Sequence, residues 1–306
     1  PPPPPLAHCI GEAVSFDFAG SEILYSNLGG HGPDTPVGAP AARPSDVQAI
    51  RYINVGVAFR PDGSLLYLDL LVTNQSTYTP YDASLNILNG LFANINLACN
   101  EAVTLRAATM VSCASASSCV RCAQQSGAAR DSCYAAGCAC FGTTVYSEPD
   151  CTGTLKEQKR AAYNCAFFGA PVILPGGTMV TMTVYDFDTG PNGDYVEEFS
   201  APGCAYYKTP LRPSSDNDIS TTLAINRATK TFTATRRGDS SDNPTDPRSL
   251  TDAQASKGLQ LFFRAQFGYI EGTFSVRSST PGCTGRNLLF AGDSALCAPP
   301  PPLPPS

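Results

Sequence analysis

The sequence has no tryptophan, two histidines and three methionines, and only 15% of its 306 residues carry a charge. Each shortage narrows what the chain can do. With only His8 and His31 available, a cytosolic zinc protein built on imidazole ligands is disfavoured, and a Ser/His/Asp triad would have to use one of two loop histidines. A net charge of −6 and a scarcity of lysine leave no cationic face to displace phosphate counterions, so nucleic acid is not an expected partner. The most apolar run, LLYLDLLV, is far too short to cross a bilayer, so membrane insertion is not expected. There is no HExxH, no GxSxG and no glycine-rich nucleotide loop, and no enzymatic activity is expected. With so few charges the surface relies on Ser, Thr, Asn and attached sugar for solubility.

Cysteine is plentiful. Thirteen in a chain of this size point to an oxidising compartment and a disulfide framework. The odd number implies a free thiol, an intermolecular bridge or a partner beyond this segment. Six of them, Cys113, Cys119, Cys122, Cys133, Cys138 and Cys140, fall in 113–140. That stretch is rich in Ala and Ser and too poor in large apolar residues to make a core, so disulfides are expected to fix it. Cys119-x-x-Cys122 has the spacing of a redox motif or half a zinc site, but structural bridging is the preferred reading. Two segments echo each other: EPDCTGTLKEQKRAAYNC and TPGCTGRNLLFAGDSALC each follow a Gly-Thr strand and place a second cysteine fourteen residues after the first. The echo predicts two like loops, one closed by Cys151–Cys165 and the other by Cys283–Cys297.

Proline marks both ends. Pro1, Pro2, Pro3, Pro4 and Pro5 precede Cys9, and Pro299, Pro300, Pro301, Pro302, Pro304 and Pro305 follow Cys297. Such runs favour stiff polyproline II spacers, so the chain reads as a module cut from a longer protein. Between them the pattern is of strands. AVSFDFAG alternates, and IRYINVGVAFRPDGSLLYLDLLVTN is a hairpin turning at Pro61-Asp62-Gly63. In LFANINLAC, Ala93, Ile95 and Leu97 share one face while Asn94 and Asn96 share the other. VTLRAATMV, GTTVYS, TMVTMTVYDF, DYVEEF, TTLAIN, KTFTATR, LQLFFRAQF and GTFSVRSS are also extended, and Thr251 to Gln254 fits a capping box opening a short helix. Strands without long intervening helices predict an all-β chain: an antiparallel β-sandwich, disulfide-rich and flanked by polyproline II segments. The segments are 1–8 (polyproline II), 9–112 (β-rich), 113–140 (Cys-rich insertion), 141–297 (β-rich) and 298–306 (polyproline II).

The candidate site is YDFDTGPNGDYVEEF. Asp186 and Asp188 leave one face of a strand end, Asn192 and Asp194 follow on a tight turn, and Glu197 comes next. Oxygen ligands at alternating positions suit Ca²⁺, although strands rather than helices flank the loop and a plain acidic turn has the same composition. Asp216, Asp218, Asp242 and Asp246 in two other acidic loops are further candidates if the fold gathers them. Asp186 with Glu198 would be the pair for a hydrolase. Tyr78, Tyr206 and Tyr207 are candidates to stack on sugar rings. Asn74-Gln75-Ser76 is a glycosylation sequon, and the tract prolines are sites for hydroxylation and O-linked sugar. Arg237-Gly238-Asp239 spells an adhesion tripeptide that chance often supplies.

Proline tracts bracketing a Cys-, Ala- and Ser-rich globular region resemble the hydroxyproline-rich glycoproteins of green algal walls and flagellar surfaces, with pherophorin-like and mastigoneme-type proteins in the same class. The resemblance implies an extracellular structural glycoprotein carrying covalent glycans. It would self-associate, or assemble with other matrix glycoproteins, into a cell wall, matrix or flagellar-hair fibre. The alternative expectation is a Ca²⁺-dependent carbohydrate-binding adhesion module.

Overall fold

Alternating apolar residues make each strand two-faced, and two such sheets bury their apolar faces against each other. The computed structural model describes residues 13–33, 48–59, 65–111, 179–238, 241–264 and 269–292. Among these, the strands are β1 Ala13–Ser15, β2 Glu22–Ser26, β3 Ala49–Phe59, β4 Leu65–Asn74, β5 Leu88–Asn89, β6 Phe92–Leu97, β7 Glu101–Val111, β8 Met179–Tyr185, β9 Tyr195–Ser200, β10 Tyr206–Lys208, β11 Leu223–Asn226, β12 Thr231–Ala234, β13 Leu259–Arg264, β14 Tyr269–Ser278 and β15 Arg286–Ala291. Among the described residues the α-helix is a short one, α1 Asp252–Ser256, which precedes β13 and is opened by the expected capping box between Thr251 and Gln254.

The first sheet runs β10-β13-β8-β15-β6-β5, with β1 added in parallel on β8; the second runs β11-β12-β9-β14-β7-β4-β3-β2. All other pairings are antiparallel, so the fold is an all-β sandwich. In both sheets the strands from 141–297 lie side by side and meet those from 9–112 at one seam, β15 with β6 in the first and β14 with β7 in the second; β1 alone crosses over, onto β8. One core lies between the sheets and includes Ile95, Val184, Leu261 and Leu288 from the first and Leu70, Val103, Phe199, Phe232 and Phe274 from the second. Edge-on aromatic contacts tie the sheets: Phe290 of β15 lies 5.8 Å from Phe18 and 6.2 Å from Tyr52 of β3, and Tyr207 of β10 lies 4.8 Å from Phe232 of β12. Such pairs add to simple area burial.

The long hairpin forms as expected, with Phe59 opposite Leu65. Its β3 arm bulges between Tyr52 and Gly56, and Asn54 in the bulge takes φ 57°. Asp69 on β4 holds it, accepting the Asn54 N–H at 3.0 Å while also accepting Arg51 Nε at 3.0 Å and Nη2 at 2.8 Å. Both partners of this ion pair are fully enclosed.

Asn94 and Asn96 lie on the strand face opposite Ala93, Ile95 and Leu97, and that face is covered too: all of β6 is buried. Asn96 Oδ1 accepts the N–H groups of Tyr81 and Asp82, its Nδ2 donates to Asn287 Oδ1, and Asn94 Nδ2 donates to the Leu85 carbonyl. These asparagines clamp the 80–87 loop across the sheet, because a buried amide needs partners. One expectation fails here, the bridge Cys283–Cys297. Cys283 is bonded to Cys99, 184 residues away, and the segment expected to be a closed loop contains β15. Pairing of β15 with β6 (Arg286 opposite Leu97) and the Asn100 N–H bond to the Val276 carbonyl bring the Cys283 turn over the end of β6. Sheet pairing therefore chose the partner, not chain proximity. Cys204, in the turn Ala201-Pro202-Gly203-Cys204, is a buried free thiol. Cys151, Cys165, Cys297, the 113–140 segment and both proline tracts lie outside the described residues.

Replacing Asp69 by Asn should remove the carboxylate paired with the buried Arg51 charge, lowering the free energy of unfolding by about 3–5 kcal/mol, read as a fall in the urea midpoint. Arg51→Met combined with Asp69→Leu should recover most of that loss.

Candidate functional site

The acidic run sits where the chain passes from the first sheet to the second. Strand β8 ends at Tyr185, and Asp186 takes φ 64°, breaking the extended backbone. Phe187 then donates its N–H to the Lys257 carbonyl at 3.2 Å, and Asp188 donates its N–H to Glu197 Oε2 at 3.1 Å. Thr189 bridges to Val196 and Arg237, and a 3-10 turn at Pro191–Gly193 leads into β9.

The crossover gathers carboxylates. Oxygens of Asp186, Asp188 and Asp242 lie within 4.8 Å of one another. Into this group projects Lys257, which follows α1. Its Nζ lies 2.5 Å from Asp188 Oδ1 and 3.3 Å from the Arg237 carbonyl, and it also donates to Asp242 Oδ2. Gly238 packs its backbone on the Asp188 carboxyl so closely that a Cβ there would fall 1.6 Å from Oδ2. The glycine of the Arg-Gly-Asp tripeptide is thus required by packing. Arg286 completes the rim, its guanidinium 3.4 Å above the Tyr195 ring.

Burial governs the protonation here. It raises the Asp186 carboxyl to about 7, helped by the charges of Asp188 and Asp242 and opposed by Lys257. Burial likewise raises Asp188, against the pull of Lys257. Glu197, on the core face of β9, is raised well above the ordinary value by burial, with the Asp188 N–H and Arg286 acting the other way. Burial disfavours the Lys257 charge, but its hydrogen bonds to Asp188 and Asp242 outweigh that and hold its pKa above the ordinary value.

The structure therefore brings together Asp186, Asp188 and Glu197 of the expected set, and Asp242 from a second acidic loop. Asn192 and Asp194 are not in this group. Asn192 is exposed on the 3-10 turn, and Asp194 turns its carbonyl to Ser278 and Ser279 of the next sheet strand. Asp246 pairs with Arg248 at 3.3 Å, and Asp216 and Asp218 also stay out of the group. Glu198 faces the opposite side of β9 from Glu197, bonding Thr233 and Arg277, so it makes no acid–base pair with Asp186. Lys257 is the residue the sequence reading missed. Its ammonium answers the negative charge for which Ca²⁺ was expected, and a divalent ion beside it would meet like-charge repulsion.

A second feature lies at the other end of β13. Strand β9 stops pairing with β14 at Ser200, opposite Thr273, and the chain turns away through Pro202-Gly203. The space left is a cleft of 340 Å³ lined by Ala205, Phe263, Arg264, Tyr269, Glu271 and Thr273, among others. Gly272 at its floor leaves room for the Phe199 ring, which a Cβ would approach to 2.4 Å. Arg106 lies 4.1 Å over the Tyr269 ring and pairs with Glu271 at 2.8 Å, both ionic groups half-exposed. The hydroxyls of Thr104 and Thr273 are 2.9 Å apart. Of the tyrosines expected to be exposed, Tyr78 is buried, its hydroxyl donating to the Asn96 carbonyl at 2.6 Å. Tyr206, next to the cleft-lining Ala205, stacks on Phe262 with centroids 4.1 Å apart. His31 lies edge-on to Tyr78, and Asn74 caps β4 with Oδ1 accepting the Gly29 N–H.

No family model matches the chain, and no curated protein does. Among solved structures it is similar to the adhesin domain of PrgB from Enterococcus faecalis, at 11% identity and a TM-score of 0.41 over 97% of this chain and 93% of that one. It is also similar to that adhesin domain bound to DNA, at 10% identity and a TM-score of 0.35 over 79% of this chain and 66% of that one. Similarity at this level says nothing about what this chain binds.

Asp186 keeps its proton to about pH 7 in the folded chain, against an ordinary value of 3.8. Folding thus takes up a proton between these values. The stability this contributes is full below about pH 4 and is lost as the pH rises through 7; Asp188 and Glu197 act in the same direction. Urea midpoints should therefore be higher at pH 5 than at pH 8, by on the order of 2 kcal/mol, and Asp186→Asn should flatten the dependence.

Proposed function

We propose that this chain is an extracellular β-sandwich module that works by adhesion, holding carbohydrate in the cleft beside β14, and that it is not an enzyme. The observation that carries the reading is the cleft's chemistry. A partly open pocket lined by an aromatic ring, the carboxylate of a half-exposed ion pair and adjacent hydroxyls suits a ligand with an apolar ring face and rows of hydroxyls. The cysteine content and the 184-residue span of the Cys99–Cys283 bridge support an extracellular setting. Covalent glycans on Asn74 and the tract prolines, and assembly with copies of itself or with other matrix glycoproteins, belong to the same proposal. Among the described residues no helix is long and apolar enough to cross a membrane. Binding is proposed to need neither calcium, since the Lys257 side chain occupies the acidic group, nor nucleic acid, given the net charge of −6.

A glycan array probed with the chain should give a defined set of ligands. Tyr269→Ala and Glu271→Gln should each weaken binding about tenfold or more, with no effect of EDTA. Absence of any glycan ligand, unchanged binding by both variants, or binding to DNA in its place would overturn the reading.

A further inference from the structure

Lys257 is one of five lysines in the chain, and its side chain is 5% exposed. A buried ion pair alone is a weak stabiliser, yet several separate contacts press this one together. The Phe187 N–H bond to the Lys257 carbonyl sets the two backbones side by side. The Asp188 N–H is anchored on Glu197, and the bare backbone at Gly238 closes over the Asp188 carboxyl. The result is an amine nitrogen held 2.5 Å from a carboxyl oxygen in a site that largely excludes water, with a second carboxylate, Asp242, touching the same nitrogen. Held in contact in this way, two reactants gain the rate advantage of an intramolecular reaction.

We propose that Lys257 Nζ and Asp188 Cγ join in an intramolecular amide bond that the folded chain makes by itself. Asp242 relays one ammonium proton to the Asp188 carboxyl. The freed nitrogen lone pair attacks Cγ and the C–N bond forms. A second proton passes from nitrogen to the same carboxyl oxygen, the C–O bond breaks, and that oxygen leaves as water. The third proton stays on the amide nitrogen. Ammonium plus carboxylate thus becomes amide plus water; nothing is oxidised or reduced, and Asp242 ends as it began. Asp188 rather than Asp242 is the partner because its side chain is 9% exposed against 19%, and loss of water is favoured at the drier carboxyl. Asp186 and Glu197, both inclined to hold protons, keep negative charge low around the attacked carbon. The bond would link residues 69 apart and tie the crossover between the sheets to the α1–β13 joint. This inference does not depend on the carbohydrate reading.

The test is mass spectrometry on the full chain made recombinantly, fully reduced. The mass should fall one water below that of the sequence. Trypsin should fail to cleave after Lys257, and a branched peptide should join Lys257 to Asp188. Lys257→Arg should restore the full mass, and Asp188→Asn should form the same link with loss of ammonia instead of water. An unmodified wild-type mass with ordinary cleavage after Lys257 overturns the proposal, as does a branch on Asp242. The wild-type measurement decides by itself if a variant does not fold.

Discussion

A carboxylate taken out of water costs several kcal/mol unless a cation or hydrogen bonds answer it, and the passage from β8 to β9 carries several within reach of each other. The passage is unavoidable, because these two strands are central in different sheets. Lys257 meets the cost. Its position follows from α1, whose capping box starts the helix at Thr251 and so places the lysine at the entrance to β13, directly across from Phe187. Without Lys257, Asp188 and Asp242 would lose the nitrogen they share at the crossover.

The same requirement recurs elsewhere in the sandwich. Asp69 satisfies a bulge and a guanidinium together, and Asn86, Asn94 and Asn96 hold a loop across β6. Each group sits on strands whose core face is apolar and whose other face is also shielded. The cleft differs. There β9 leaves its neighbour early, and the polar groups of Arg106, Glu271, Thr104 and Thr273 stay wet. Leu259 and Arg264 mark opposite ends of β13, so the ionic crossover and the cleft stand roughly 17 Å apart along that strand. One end is closed and rigid, and the other is open for contact.

Much of the fold could be read from alternation: the β3–β4 hairpin, β7, β9 and β12 to β14 all fall where apolar residues recur at every second position. The capping box was equally plain, since it is local chemistry. Arg286–Ala291 was harder, because its NLLF run does not alternate and the neighbouring Thr-Pro-Gly-Cys-Thr-Gly suggested a loop. Asn94 and Asn96 share a face as read, but period two reports which residues share a face, not whether that face meets water. The site was half visible. Asp186, Asp188 and Glu197 stand together in one acidic run, whereas Lys257 is a single residue after a short helix with no local pattern around it.

The sequence by itself determined what depends on near neighbours: strands, the helix cap, the turn chemistry and the acidic run. Tertiary structure alone decided what depends on distant segments meeting. It chose Cys99 as the partner of Cys283 because β15 pairs with β6. It placed Lys257 among three carboxylates because β13 pairs with β8. It made Gly238 necessary because the chain after β12 passes over Asp188. Distances of this kind arise only when sheets assemble, since burial and pairing are properties of the whole core and not of any window along the chain.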